Sequence, residues 1–227
     1  MQGLKPGGND YLTKPVNREE LAVRIKNLSD LKKAIKKNNE ISQKLLQKRM
    51  TPHFIFNTLN SIHSYMHFDI EKADDALMQL AHCFRFLTNN SFESLITFDD
   101  EWEFAQQYLK IKKLQHEDVL TVNINVEGNF DDINIPPLII QPLIENAFKH
   151  GFYQRRSDWN LVVDVVRTDK RVRLSVKDNG SGVPENVDVS RSTENIIKRM
   201  NYYFKNVELT IENAENGGAE TLLTFEI

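Results

Sequence analysis

The sequence predicts a two-part fold in which a helical region is followed by an α+β domain, a mixed sheet with helices covering one face. Up to about residue 115, apolar side chains recur every three or four positions, the spacing of one face of an α-helix. After Val119 they alternate with polar side chains, which is typical of strands with one buried face. The change of period at Val119 therefore marks the boundary between the two parts.

The composition is that of an ordinary soluble protein and limits the classes of function. Of 227 residues, 40% are hydrophobic and 27% are charged, so each part can bury a core. A net charge of −3 argues against a general binder of nucleic acid or of anionic membranes. No apolar run approaches the ~20 residues of a spanning helix, and the single cysteine excludes an internal disulfide. We expect a cytoplasmic chain, and the sequence leaves open whether its parent is membrane-anchored or a hybrid.

The N-terminal stretch predicts a turn, a short strand, a second turn and the start of a helix. Its turns lie in residues 7–15, and Asn17 with Glu20 has the spacing of a helix cap and its reciprocal partner. The stretch resembles the tail of a response-regulator receiver domain, in which Lys14 would contact the phosphoryl group. We therefore interpret residues 1–28 as a receiver remnant that cannot be phosphorylated alone.

A helical pattern continues through residues 29–50, which we assign to a linker helix. Its apolar positions, with those just before it, approximate a seam: Leu21, Ile25, Leu28, Ile35, Ile41 and Leu45. Lys32 and Asn39 interrupt the seam. Two interpretations stay open, a coiled coil with a second copy and a solvated helix with charged faces.

A histidine on the polar face of an amphipathic helix is the most informative feature of the chain. At 100° per residue, one stripe of this helix is apolar: Ile55, Leu59, Ile62 and Met66. His53 and Asn57 fall on the opposite face, and Pro52 favours a helix start directly before the histidine. An imidazole held on a rigid helix can act as a nucleophile, although most histidines on helix surfaces have no such role.

Two further helices come next, each with its own cap. Asp69 is expected to cap a helix whose apolar stripe comprises Ala73, Leu77, Leu80, Phe84 and Leu87. Thr97 with Asp100 opens a helix that runs through about Gln115 and is apolar nearly all round. Such a helix is normally buried, which favours a bundle completed by a second subunit.

The α+β part contains two segments with the chemistry of a phosphate and nucleotide site. The pattern predicts a helix over Pro137–His150, where Asn146, Lys149 and His150 share one face. An amide oxygen and an ammonium suit Mg²⁺ and phosphate, because Mg²⁺ needs few protein ligands. The run from Asp178 to Gly182 directly follows a predicted strand; its aspartate can accept a hydrogen bond from an exocyclic amine, and its glycines permit close backbone approach.

Together these three segments resemble the LytS-type sensor histidine kinase family, whose phosphoacceptor motif reads P-H-F-x-x-N-x-L-N. The resemblance spans roughly Lys44 to the C-terminus. It implies an α + α/β sandwich fold: a helical hairpin that forms a dimeric four-helix bundle, followed by a mixed-sheet Bergerat-type (GHKL) ATP-binding domain. The implied boundaries are 51–116 for dimerisation and histidine phosphotransfer, and 117–227 for catalysis.

The resemblance also implies the activity and the site residues. ATP would phosphorylate His53, and a homodimer would then pass the phosphoryl group to an aspartate of a response-regulator receiver domain. The residue after the histidine is Phe54 and not a carboxylate, so a base would have to come from elsewhere. Asn57, one turn along the same face, is a candidate for orienting the histidine. Asn146 would be the Mg²⁺ ligand, and Glu145 would polarise or orient the reacting groups. Six residues would bind ATP: Lys149, His150, Asp178, Gly180, Gly182 and Asn195. Among them, Lys149 would contact a phosphate and Asp178 the adenine amine.

The sequence departs from the family pattern where a second glycine box is expected. Ser190 and Ser192 stand at the glycine positions, and the third glycine signal at 217–221 is imperfect. An alternative function is therefore a degenerate kinase, a dimeric interaction or phosphotransfer module with weak or no ATP binding. A Bergerat ATPase of the gyrase or chaperone kind fits the nucleotide motifs but not the histidine helix. The histidines show no clustered ligand spacing, so no zinc site is expected.

Overall fold

A computed structural model describes residues 52–90, 93–152, 157–183, 190–215 and 217–227, together with Lys26. The chain divides into two compact units, Met1–Lys48 and Arg49–Ile227, and every described residue except Lys26 belongs to the second. The predicted receiver remnant and linker helix lie, apart from Lys26, outside the described residues. Among the described helices, none is long and apolar enough to cross a membrane.

Three helices form the first part of the described chain. They are α1 (Pro52–Tyr65), α2 (Ile70–Asn89) and α3 (Phe98–Gln115), and α2 packs against both of the others. Both predicted caps are confirmed: Asp69 accepts a hydrogen bond from the N–H of Lys72, and Thr97 accepts one from the N–H of Asp100, each at 3.1 Å. The caps satisfy orphan donors at the helix starts, so local sequence fixes these boundaries.

A mixed sheet forms the second part, as predicted. The described strands are β1 (Ile96–Thr97), β2 (Leu120–Glu127), β3 (Asn134–Ile135), β4 (Trp159–Thr168), β5 (Arg171–Asp178), β6 (Lys205–Asn213) and β7 (Ala219–Glu226). β1 and β3 form a separate antiparallel pair, and the other five form the mixed sheet. The five long strands lie in the order β2-β4-β5-β7-β6; β2 is parallel to β4 and the other pairs are antiparallel. Strand β6 was not predicted, because it lies at an edge of the sheet and has no fully buried side chain.

The helices that accompany the sheet are α4 (Ile140–Asn146), a π-helical turn (Ala147–Gly151) and α5 (Ser190–Met200). One hydrophobic cluster joins the buried face of the sheet, through Val163, Val176 and Leu223, to α4, through Leu143 and Ile144. The predicted fold class, a helical region followed by a mixed sheet with helices, is confirmed.

The helix predicted over Pro137–His150 is shorter than expected. It begins at Ile140, since Leu138 has a φ of 60° and breaks any earlier start. From Ala147 the chain widens into the π-helical turn, and Gly151 lies inside this turn instead of capping an α-helix. The N–H of Phe152 closes the turn on the carbonyl of Ala147 at 3.0 Å.

A buried carboxylate explains the unusual start of α4. Glu101, on the first turn of α3, is fully buried and accepts the N–H groups of Leu138, Ile139 and Ile140 at 2.7, 2.7 and 2.8 Å. Burial raises the pKa of Glu101 to about 7, while the three N–H donors and Arg199 act in the opposite direction. An anion here complements the positive end of α4, so α3 and α4 are joined by a charge-assisted cap.

The predicted apolar stripes of α1 and α2 divide into an inner and an outer set. The inner face of α1 is Phe54, Thr58, Ile62 and Tyr65. Of the predicted stripe, Ile62 is buried, Ile55 is partly buried, and Leu59 and Met66 are exposed. On α2, Ala73, Leu80 and Leu87 are buried, but Leu77 and Phe84 are exposed. As predicted, α3 is largely buried. The helices that cover it are α1, α2 and α4 of the same chain.

Candidate active site

His53 lies exposed on the first turn of α1, with Asn57 one turn further along. The amide nitrogen of Asn57 is 3.4 Å from His53 Nδ1 and 3.3 Å from Nε2. The neighbouring Phe54 points inward and stacks on Tyr108 of α3, with ring centroids 4.8 Å apart. Because Phe54 anchors this turn to α3, His53 is presented to solvent on a fixed backbone.

Asn146 ends α4, and the π-helical turn carries Lys149 and His150, both exposed. The three were predicted to share one face of an α-helix; the wider π turn after Asn146 removes that regular spacing. Lys149 Nζ is 3.0 Å from Glu145 Oε1. Gln141 donates to the other carboxylate oxygen of Glu145 at 2.9 Å. The structure thus joins the predicted phosphate contact Lys149 to the predicted orienting residue Glu145 in an ion pair.

Asp178 ends β5 with only 6% of its surface exposed. Its Oδ1 accepts the N–H of Gly180 at 2.8 Å and that of Ala219 at 3.3 Å. Burial raises the pKa of Asp178, and these two donors lower it. The backbone therefore holds the carboxylate in place, and its remaining acceptor capacity suits an N–H donor such as a purine amine.

Three glycines allow three backbone segments to close around Asp178. A Cβ on Gly151 would lie 2.5 Å from Asp178 Oδ1, one on Gly180 would lie 2.0 Å from the Gly151 carbonyl oxygen, and one on Gly218 would lie 2.0 Å from the Asp178 carbonyl oxygen. The N–H of Ser181 donates to the Gly151 carbonyl at 2.9 Å. Gly180 was predicted from its motif, whereas Gly151 and Gly218 were not, because only the folded chain brings them next to Asp178.

Gly182 and Asn195 have different surroundings. Gly182 is buried with a φ of 78°, and a Cβ there would lie 2.6 Å from Asn213 Oδ1, which accepts the N–H of Val183 at 2.7 Å. Asn195 is exposed on α5, whose Ile196 is buried in the core. Residues 184–189 and the side chains of Ser190 and Ser192 lie outside the described part, so weakened phosphate binding stays a prediction.

A buried lysine that contacts the rings of Phe54 and Phe148 was not predicted. Lys112 of α3 has 9% of its surface exposed, and burial lowers its pKa. Its Nζ lies 5.5 Å from the ring centroid of Phe54, 5.6 Å from that of Tyr108 and 5.1 Å from that of Phe148. The only sequence signal was a lysine on a helix with apolar residues nearly all round.

Comparison with known proteins identifies the class to which these features belong. Residues 41–120 match the sequence model of the histidine kinase family. The resemblance to the histidine kinase family that the motifs predicted is thereby confirmed over this segment. The chain is 37% identical over 141 residues to the sensor histidine kinase/phosphatase LytS of Staphylococcus aureus, in strains Mu50 and N315 alike. The match covers 62% of this chain and 24% of those relatives, so the chain spans about a quarter of their length.

Solved structures give more distant likenesses. The histidine kinase domain of the blue-light activated histidine kinase EL346 of Erythrobacter litoralis matches with a TM-score of 0.46 at 15% identity, over 84% of this chain and 94% of that one. The histidine kinase ThkA in complex with the response regulator TrrA matches with a TM-score of 0.42 at 15% identity, over 96% of this chain and 68% of that one.

Substitution of Gly180 tests whether the glycine contacts shape the predicted nucleotide site. In Gly180→Ala the new Cβ meets the backbone of Gly151, so the loop after β5 must shift. We expect affinity for an ATP analogue to fall at least tenfold by calorimetry, because the N–H of Gly180 also holds Asp178. Gly217→Ala is the control: it has a φ of 85° but no atom within 4 Å of its Cβ, so it adds backbone strain without a clash. Equal affinity in the wild type and Gly180→Ala would contradict this account of the site.

Proposed function

We propose that this chain is the catalytic part of a two-component sensor histidine kinase, which autophosphorylates on His53 with ATP and passes the phosphoryl group to a response-regulator aspartate. The observation that carries the proposal is the pairing of exposed His53 with Asn57 on a turn that Phe54 anchors to α3. The histidine kinase match over residues 41–120 includes this turn. The proposed location is the cytoplasm, where ATP and receiver domains are found.

In the transfer, a lone pair on one neutral ring nitrogen of His53 attacks the γ-phosphorus of ATP. A nitrogen–phosphorus bond forms, and the bond from phosphorus to the β,γ-bridging oxygen breaks, so that ADP leaves with that electron pair. The ring then loses its N–H proton to solvent. Asn57 holds the ring plane, its amide nitrogen within 3.4 Å of both ring nitrogens. Catalysis of this kind rests mainly on positioning and on neutralisation of charge.

The residues around Asp178 fit the adenine end of ATP, and those around α4 fit its phosphates. Asp178 offers a fixed acceptor for the adenine amine, at a place where Gly180 and Gly182 permit close packing. Asn146 would hold Mg²⁺, which supplies neutralisation of the phosphate charge when it is bound. Lys149 and His150 are exposed on the π-helical turn and would offer the phosphates a cation and a hydrogen-bonding group. On binding, Lys149 would leave its ion pair with Glu145 and contact a phosphate. Asn195 would contribute from α5.

The same proposal includes a homodimer formed by α1 and α2. Both helices expose large apolar side chains, outside the stripe that they bury within the chain: Phe56, Leu59, Met66, Leu77, Met78 and Phe84. An exposed apolar face of this extent marks an interaction surface. Two such hairpins would complete a four-helix bundle in which each copy covers the outer face of the other.

The dimer can be tested by light scattering coupled to size exclusion. The 26.4 kDa chain should elute as a particle of about twice that mass. Leu59→Glu with Leu77→Glu places two charges on the outer face and should give a monomer at micromolar concentration. Ser64→Glu, an exposed substitution on α1, should remain dimeric. A monomeric wild type, or a double variant that stays dimeric, would refute this surface as the interface.

The second candidate function is a degenerate kinase that binds ATP weakly or not at all. Ser190 and Ser192, at the positions of two family glycines, favour it, because backbone amides wrap phosphate most closely at glycine. Such a protein would serve as a dimeric interaction module, or would receive a phosphoryl group from another subunit.

Incubation with radiolabelled ATP and Mg²⁺ separates the two functions. The wild type should acquire acid-labile, alkali-stable label, as a phosphohistidine does, and His53→Gln should acquire none. His63→Gln, which removes another exposed histidine of α1, should label like the wild type. Chelation of Mg²⁺ should abolish labelling. If the wild type takes no label and calorimetry detects no ATP binding, the degenerate function holds instead.

A further inference from the structure

Lys112 contacts both parts of the proposed reaction site, the His53 turn through Phe54 and the π-helical turn through Phe148. Its Nζ is surrounded by three aromatic rings, at 5.1 to 5.6 Å from their centroids, and each ring comes from a different place in the chain. Phe54 belongs to α1, Tyr108 to α3 and Phe148 to the π-helical turn after α4. Distances under about 6 Å are those of attractive cation–π contacts.

Two of these rings adjoin residues that carry the proposed chemistry. Phe54 directly follows the acceptor His53, and Phe148 lies between Asn146 and Lys149. Tyr108 stacks on Phe54, with ring centroids 4.8 Å apart. A change in the position of the Lys112 ammonium would therefore alter the packing of both α1 and the π-helical turn.

The charges around Lys112 indicate that its ammonium has a role beyond packing. Burial lowers the pKa of Lys112, the carboxylate of Glu145 raises it, and Lys149 lowers it. Glu145 already pairs with Lys149 at 3.0 Å and accepts from Gln141 at 2.9 Å. A buried cation costs free energy unless its surroundings compensate it. Here the faces of three rings and the Glu145 carboxylate offset part of that cost.

We propose that Lys112 is a positioning residue that fixes the His53 turn relative to the Asn146–Lys149 turn through its contacts with Phe54 and Phe148. The proposal rests on the proposed function. Phosphoryl transfer requires acceptor and donor in line, and a misplacement of about 1 Å can cost on the order of 100-fold in rate. Lys112 touches neither the acceptor nitrogen nor, in this role, the phosphates; it acts through the two rings.

Substitutions of matched size separate this role from simple filling of the core. Lys112→Met keeps an unbranched apolar stem and removes the charge, whereas Lys112→Arg keeps a cation that stacks on aromatic rings. Lys110→Met makes the same change at an exposed position of α3. Initial rates of His53 phosphorylation, measured across ATP concentrations, give kcat and KM for each variant.

We expect Lys112→Met to lower kcat about tenfold while KM for ATP stays within twofold, because the nucleotide contacts are unchanged. Lys112→Arg should recover at least half of the rate, and Lys110→Met should match the wild type. An unchanged or increased kcat in Lys112→Met would overturn the proposal. So would equal losses in the Met and Arg variants, since a structural filler would not distinguish charge.

A second measurement needs no kinase activity and separates failure of this inference from failure of the proposed function. Lys112→Met, Phe148→Leu and the double variant are unfolded with urea, and their midpoints are compared in a double-mutant cycle. If Lys112 joins the π turn to α3, the double variant shifts the midpoint by less than the sum of the single shifts. Additive shifts would overturn the proposal, whether or not the wild type labels with ATP.

Discussion

The carboxylate of Glu101 is the contact on which the rest of the described structure depends. It comes from α3, the helix that packs against α1 and α2, and it accepts the N–H groups of Leu138, Ile139 and Ile140, which lead into α4. Arg199 of α5 closes the same turn from the other side by donating to the carbonyl oxygens of Pro137 and Leu138. The Glu101 carboxylate thereby sets the position of α4 relative to α3.

Burial of this carboxylate has a cost, which its partners offset. Without the N–H donors, an ionised carboxyl in the core would be strongly destabilising, and burial raises the pKa of Glu101 to about 7 although the donors act in the opposite direction. The functional consequence is that α3 serves as a common frame. It carries Glu101, which contacts the start of α4, Tyr108, which stacks on Phe54, and Lys112, which contacts Phe54 and Phe148. The His53 turn and the π-helical turn therefore rest on one helix.

The sequence predicted those features that depend on local chemistry. Asp69 and Thr97 cap helices through side chains three residues away from their partners, and the period of two revealed the buried strands. Features that depend on distant partners were missed or misplaced: the late start of α4 needs Glu101, 37 residues from Leu138. Within the candidate site, motifs predicted roles for His53 and Asp178 from their neighbours along the chain. Lys112 carried no such signal, because its rings come from three separate segments.

Amide exchange at the start of α4 tests most directly whether Glu101 holds the two parts together. Glu101→Gln keeps the side-chain volume but leaves one acceptor oxygen for three donors, and Glu103→Gln is a control at an exposed position of the same helix. We predict that the amides of residues 138–140 lose protection in Glu101→Gln while those of β5 and β7 keep it, and that Glu103→Gln behaves as the wild type. Unchanged protection at residues 138–140 in Glu101→Gln would contradict this role for the buried carboxylate.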